Sequence, residues 1–142
     1  SKGLGTPMGS VLIGDSRLMK NAIRIRKVLG GGMRQVGFMA AAGIYALDNH
    51  LEKLKKDNER ALEIANVLQN LPYVKNVEPT ETNIVIFYLK NSEKETEFME
   101  QLSNKNIRIS NMGQGKLRIV THLDYSEEMH QYFMETLGNI EL

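Results

Sequence analysis

The sequence predicts an α/β protein whose second half forms a small α+β domain, and three patterns support this. Apolar residues recur every three or four positions from residue 36 to residue 68, which indicates a long helical stretch. Residues 83–88 are rich in β-branched and aromatic side chains, as a strand requires. The predicted order after residue 50 is helix, strand, strand, helix, strand, strand, helix. That order is typical of a mostly antiparallel sheet with helices on one face.

The first part of the chain is predicted to contain a glycine-rich loop, a short strand and a basic helix. Residues 10–14 are apolar and bounded by glycine, which favours a buried strand. Asp15 or Ser16 caps the helix that follows, and this helix is predicted to run to Leu29. Three consecutive glycines, residues 30–32, end it because glycine destabilises a helix by about 1 kcal/mol per residue.

A long helical pattern then begins at Met33 or Gln35 and is stopped by Pro72. Its character changes near Asp48: residues 36–47 are apolar on nearly every side, which predicts burial on most faces. Residues 51–56 are instead amphipathic. The change predicts a domain boundary, with residues 1–49 as the tail of a larger domain and residues 50–142 as a small α+β domain.

The elements of the second half follow from strand composition and helix caps. Ser92 is predicted to cap a helix over 93–103, and Ser126 one that ends near 137. A turn is predicted at residues 111–115, where two glycines occur. The predicted strands are 74–78, 83–89, 107–110 and 116–121.

Composition excludes several classes of function. The 142 residues carry a formal net charge of +1, which gives no general attraction to nucleic acid or membrane. Cysteine is absent, so disulfides and thiolate metal sites are excluded. No apolar run approaches the roughly 20 residues of a membrane span, and the start lacks the pattern of a signal peptide. We therefore expect a cytoplasmic protein with no metal site, and with neither nucleic acid nor membrane as a partner.

Lys2 lies at the start of a glycine-dense loop, where a sharply turning backbone lets a bulky group approach closely. A lysine in such a place can serve as a Schiff-base nucleophile if a cofactor lies against it. Because this loop opens the chain and no methionine precedes it, we expect the chain to be a piece of a longer polypeptide.

Four blocks of sequence resemble the L-threonine aldolases, which are pyridoxal-phosphate enzymes of the aspartate-aminotransferase-like fold. A single Ser-Lys-Gly is weak evidence, but four blocks in the right order are specific. The blocks are SKGLGTPMGS at residues 1–10, RIRK with GGGMRQ at 24–35, AAAGIYAL at 40–47 and LRIVTHLD at 117–124. The resemblance is looser between these blocks.

The resemblance implies roles for four residues. Lys2 matches the lysine that binds pyridoxal phosphate covalently, and Arg118 matches an arginine that holds the α-carboxylate of the substrate. Arginine suits that role because its planar fork binds a carboxylate through two hydrogen bonds. Arg34 is implied as a phosphate or interface residue, and Lys27 as a residue that borders the active site of a neighbouring subunit.

The activity implied by the resemblance is cleavage of L-threonine or L-allo-threonine to glycine and acetaldehyde. The fold implied for residues 1–49 is the tail of the large cofactor-binding domain. A homo-oligomer, dimer or tetramer, with shared active sites is also implied. Several cofactor ligands of such enzymes precede the lysine, so we expect the 142-residue piece to be inactive without the missing N-terminal portion of its chain.

Two alternative functions remain open at this stage. The first is a β-eliminating lyase of the same fold, which would act on aromatic amino acids and use Lys2 and Arg118 in the same roles. The second is a non-enzymatic α+β interaction module in which residues 1–49 form an apolar dimerisation arm. His122 is interpreted as structural rather than catalytic, and His50 and His130 lack partners at metal-ligand spacing.

Overall fold

The structure is a computed structural model that describes residues 2–142, apart from the side chain of Lys2. It divides into two compact units, Ser1–His50 and Leu51–Leu142. The assignment of residues 1–49 to a larger cofactor-binding domain, and of residues 50–142 to a small C-terminal domain, stays a prediction.

The first unit is helical. It contains a short 3-10 turn at Lys2–Leu4, helix α1 at Ser16–Val28 and helix α2 at Gly37–Asn49. Asp15 caps α1 as predicted, because its carboxylate accepts hydrogen bonds from the backbone N–H groups of Arg17 and Leu18 at 3.0 and 2.9 Å. Helix α2 begins later than predicted, since Gln35 adopts a left-handed conformation with φ of 53°.

The strand predicted over residues 10–14 is wrong. These residues are extended coil, and the side chains of Val11 and Ile13 are 85% and 87% exposed. A strand satisfies its backbone N–H and C=O groups by pairing with another strand. The one sheet of the described residues is built from four other segments, so this stretch has no partner there.

The predicted burial of residues 36–47 is also not met within this chain. Ala46 is the one buried residue of α2, while Phe38, Ile44 and Tyr45 are largely exposed. The pattern identified an apolar helix correctly, but the described residues supply too little apolar surface to cover it. An exposed apolar face of this kind marks a site of association.

The second unit alternates helices and strands in the predicted order, and its sheet is antiparallel as predicted. The strands are ordered β1-β2-β4-β3. The long helical pattern is interrupted at His50, so that a separate helix covers the sheet. The elements are α3 at Leu51–Gln69, β1 at Val74–Val77, β2 at Ile84–Leu89, α4 at Glu95–Asn104, β3 at Ser110–Asn111, β4 at Lys116–Val120 and α5 at Glu127–Gly138.

The core lies on one face of this sheet. Alternate residues of β2 and β4 point into it, and Phe87 packs edge-on against Phe98 of α4 with ring centroids 5.9 Å apart. Each fully buried large apolar side chain contributes about 1.5–3 kcal/mol to folding. The opposite, outer face carries the intervening residues, which are Ile84, Ile86, Tyr88, Lys116, Arg118 and Val120.

Of the two helix caps predicted in the second unit, one is confirmed and the other is wrong. The hydroxyl of Ser126 accepts a hydrogen bond from Met129 N at 3.2 Å and caps α5. Ser92 does not cap: Asn91 does so instead, accepting from Glu93 N at 3.0 Å to start a 3-10 turn that precedes α4. Asn91 competes well because asparagine and serine are equally good caps, and it stands one residue earlier.

The strand predicted over 107–110 is reduced to Ser110–Asn111. Asn106 is left-handed, with φ of 60°, and Ile107 N donates to the carbonyl of Leu102 at 2.9 Å. This anchor ties the start of the segment to the end of α4, so residues 107–109 do not pair with β4. Among the described residues, no helix has the length and apolarity to cross a membrane.

Candidate functional site

Arg118 lies in the middle of β4, on the outer face of the sheet. It faces Ile86 on β2 and Ser110 on β3 in the strand register. The alternation of β4 places Leu117 and Ile119 in the core, which sends the guanidinium to the opposite side. The sheet therefore holds this arginine between an apolar residue and a small polar one, with no carboxylate in either facing position.

The neighbouring cation on the same face, Lys116, already has an anionic partner. Its ammonium group is 3.0 Å from the carboxylate of Glu78 and lies 5.3 Å from the centre of the Tyr88 ring. The Tyr88 hydroxyl donates to the same Glu78 oxygen at 2.6 Å. The hydrogen bonds from Tyr88 and Lys116 hold the pKa of Glu78 below its ordinary value, so this carboxylate is charged and committed.

Arg118 has no such partner within the described chain. Its Nε is buried and makes no hydrogen bond, and no ion pair involves its guanidinium. A buried N–H of a charged group without an acceptor is unfavourable by about 1–3 kcal/mol. An incoming carboxylate would satisfy this donor through the planar geometry that arginine presents. Of the two cations that β4 carries on the outer face, Arg118 is the one left for an external anion.

Lys27 and the three glycines form a second candidate site, in the first unit. A Cβ on Gly32 would stand 2.7 Å from the ammonium of Lys27, and one on Gly31 would stand 2.9 Å from the carbonyl of Arg26. The contact at Gly31 is with backbone and excludes a side chain there, whereas the contact at Gly32 is with the flexible end of Lys27, which can move aside. The glycine run therefore lies directly against the C-terminal end of α1 and exposes its backbone beside Lys27.

Arg34 follows this run and is exposed, three residues before α2 begins. No side chain caps the start of α2, since Val36 makes no capping hydrogen bond. Uncapped backbone N–H groups next to an arginine suit a phosphate. The helix start predicted at Met33 or Gln35 is displaced to Gly37, but the proximity of arginine, glycines and helix N-terminus along the chain is retained.

The backbone of Lys2 belongs to the 3-10 turn, whereas its side chain lies outside the described residues. His50 holds this turn, because its Nδ1 lies 2.7 Å from the carbonyl of Leu4. Sequence reasoning missed this anchor, and nothing in the local sequence signals a contact between residues 46 positions apart. Lys2, Lys27 and Arg34 thus belong to the first unit, and Arg118 to the second.

The other histidines support the structural interpretation. His130 is buried, with Nε2 2.7 Å from the Glu63 carboxylate and Nδ1 3.2 Å from the Tyr125 hydroxyl. Nδ1 of His122 accepts a hydrogen bond from Asp124 N at 3.3 Å. Within residues 2–142, no group of histidine and carboxylate side chains could hold a metal ion.

Comparison with known proteins agrees with the resemblance drawn from the sequence. The chain is 42% identical over 128 residues to the low specificity L-threonine aldolase of Escherichia coli K12, which covers 90% of this chain and 37% of that protein. It is 35% identical to low-specificity L-threonine aldolase 1 of Arabidopsis thaliana, covering 86% and 35%. The Candida albicans enzyme of the same name is also 35% identical, covering 90% and 33%.

The chain thus spans little more than a third of the length of these relatives. Among solved structures, a C-DES mutant with glycine covalently linked to the PLP cofactor superposes with a TM-score of 0.55 at 17% identity, covering 74% of this chain and 28% of that one. That likeness confirms the predicted fold. The sequence profile described as "Beta-eliminating lyase" matches residues 1–92. The chain therefore belongs to the beta-eliminating lyase family.

Proposed function

We propose that the whole protein is a pyridoxal-phosphate-dependent threonine aldolase that cleaves L-threonine or L-allo-threonine to glycine and acetaldehyde. The observation that carries the proposal is the unpaired guanidinium of Arg118 on β4, a strand whose other outer-face cation is already neutralised. An arginine in this state is suited to the one group common to all amino-acid substrates, the α-carboxylate. The names of the most similar relatives supply the reaction.

The residues of the first unit fit a cofactor that carries an aldehyde and a phosphate. Lys2 is the proposed point of covalent attachment, in a loop held by the contact between His50 and Leu4. Arg34 is proposed to bind the phosphate, because it is exposed, free of ion pairs in the described chain and next to uncapped helix amides. The chemistry that pyridoxal phosphate supplies when bound is withdrawal of electrons from the α-carbon of an amino acid.

Arg118 is proposed to hold the carboxylate and thereby orient the amino acid. A two-point contact fixes the plane of the carboxylate, and once the amino group is also held, the directions of the remaining α-carbon bonds are determined. Selecting one of those bonds for cleavage is a matter of orientation rather than of additional acids or bases. At Arg118, β4 is paired with β2 on one side and with β3 on the other, which makes it a rigid support for a residue that orients the substrate.

Assembly into a homo-oligomer, a dimer or tetramer in the cytoplasm, completes the proposal. The exposed apolar side chains of α2 are its main support, because such a surface is stable in water only when another surface covers it. Lys27 is proposed to border the active site of a neighbouring subunit. Its ammonium lies beside the backbone of Gly32, and because glycine has no side chain, residue 32 does not cover it.

Turnover by the full-length protein tests this function. With pyridoxal phosphate and L-threonine it should release acetaldehyde, and Lys2→Ala should abolish release while Lys20→Ala, an exposed lysine of α1, leaves it unchanged. The 142-residue piece alone should release none. Production of phenol from L-tyrosine or indole from L-tryptophan, without acetaldehyde from L-threonine, would assign the protein to β-elimination instead.

A further inference from the structure

A groove of about 540 Å³ lies in the second unit between the exposed edge of β4, the 105–109 segment and helix α5. Arg118 does not line this groove, although Val120, which lies on the same outer face of the sheet, does. Its volume falls within the range of about 300–1,000 Å³ that is typical of small-molecule sites. Residues that line it include Arg108, Ile109, Val120, His122, Met129 and Tyr132.

The groove is built into the backbone. β3 pairs with β4 only at Ser110 and Asn111, so the edge of β4 beyond that point has no neighbouring strand. The left-handed Asn106 and the hydrogen bond from Ile107 N to α4 hold the 107–109 segment away from β4. Across the groove, the Tyr132 hydroxyl donates to the carbonyl of Lys105 at 3.3 Å and ties α5 to the same segment. These bonds prevent the segment from closing onto the sheet.

Charge in the groove has one sign. Lys105, Arg108 and His122 line it together with isoleucine, valine, methionine and aromatic side chains, and no acidic residue is among the lining residues. Lys105 and Arg108 are exposed and take part in no ion pair within the described chain. Because Nδ1 of His122 accepts a hydrogen bond from Asp124 N, its Nε2 carries the proton and is a donor.

We propose that this groove binds a small amphipathic carboxylate whose hydrocarbon body lies between β4 and α5 and whose carboxylate meets Arg108, Lys105 and His122. The apolar walls favour the body, and the unpaired cations favour the anionic end. This is a second ligand site, separate from the proposed amino-acid site at Arg118. Binding there requires no turnover, so the proposal does not depend on the aldolase function.

The test compares the binding of two ligands of similar shape to the full-length protein, with its isoleucine and methionine methyl groups isotopically labelled for NMR. 4-Phenylbutanoate should shift the methyl signals of Ile109, Ile119 and Met129, and its neutral analogue 4-phenylbutan-1-ol should bind at least about tenfold more weakly. Arg108→Gln should remove most of that preference for the acid. Lys90→Gln, which removes an exposed cation outside the groove, should leave it intact.

Met129→Glu provides a second, independent variant. Met129 is 55% exposed and occupies the third position of α5, where a glutamate completes a capping box with Ser126 and favours the helix. The variant should therefore fold, repel the acid and still bind the alcohol. Three outcomes would each overturn the proposal. The first is equal affinity of the parent protein for the acid and the alcohol, and the second is signal shifts confined to other methyl groups. The third is shifts that appear when the protein is concentrated without ligand, because these would indicate a second copy of the chain in the groove.

Discussion

Replacing Arg118 with methionine is expected to stabilise the cofactor-free protein while it weakens amino-acid binding. Nε of Arg118 is buried without an acceptor, and a donor in this state costs about 1–3 kcal/mol. The residue as a whole is half-buried, so the lower end applies, and Arg118→Met should raise the free energy of unfolding by about 1 kcal/mol. For a domain of 60–100 residues that corresponds to a rise in melting temperature of about 4–8 °C.

The effect on binding has the opposite sign. A hydrogen bond to a charged group contributes about 1.5–3 kcal/mol, so its loss should weaken binding of glycine to the cofactor-loaded, full-length protein by about 10- to 150-fold. Arg118→Lys keeps the charge but not the planar fork, so its affinity for glycine should lie between those of the parent protein and Arg118→Met. Urea unfolding followed by circular dichroism, together with glycine titration, measures both effects. Loss of stability in Arg118→Met with unchanged glycine affinity would refute the reasoning, because it would make the arginine a structural residue.

Three further predictions concern the second unit. Gly115 and Gly113 both have positive φ, but only a Cβ on Gly115 would meet a neighbour, the side chain of Ser92 at 3.1 Å. In urea unfolding, Gly115→Ala should therefore lower the free energy of unfolding by about 1–3 kcal/mol more than Gly113→Ala does, and equal losses would contradict this. Burial raises the pKa of Asp57, so its contribution to the stability of the folded protein is lost as the carboxyl ionises at rising pH. Asp57→Asn should therefore stabilise the protein more at about pH 7 than at about pH 3, and the reverse order would contradict this. Hydrogen bonds lower the pKa of Glu78, so its contribution to folding stability is lost as pH falls. Glu78→Gln should therefore make the free energy of unfolding fall less steeply on the acid side of a stability-against-pH curve, and an unchanged slope there would contradict this.

Local patterns predicted the second unit well because its elements carry their own signals. The alternation in β2 and β4 reflects one buried and one open face, and the Ser126 cap depends on residues within one helical turn. The failures lie where a partner or an anchor decides the outcome. Residues 10–14 have strand composition but no strand beside them, and residues 107–109 are held off β4 by bonds to the end of α4.

The candidate site shows the same division. The sequence predicted, through its resemblance to the L-threonine aldolases, that Arg118 binds a carboxylate. It could not predict that Lys116, two residues earlier, is neutralised by Glu78, which lies 38 positions away in the chain. That long-range pair is what leaves Arg118 as the available cation. The burial predicted for residues 36–47 stays a prediction, since it depends on surfaces that the described chain does not contain.

The central claim is that the ε-amino group of Lys2 binds pyridoxal phosphate covalently in the full-length protein. Reduction of the cofactor-loaded protein with borohydride, followed by peptide mapping, tests it most directly, because reduction makes such a bond permanent. The account predicts one pyridoxyl group, located on Lys2. A stable label on any other lysine, or none at all on a protein that releases acetaldehyde from L-threonine, would contradict it.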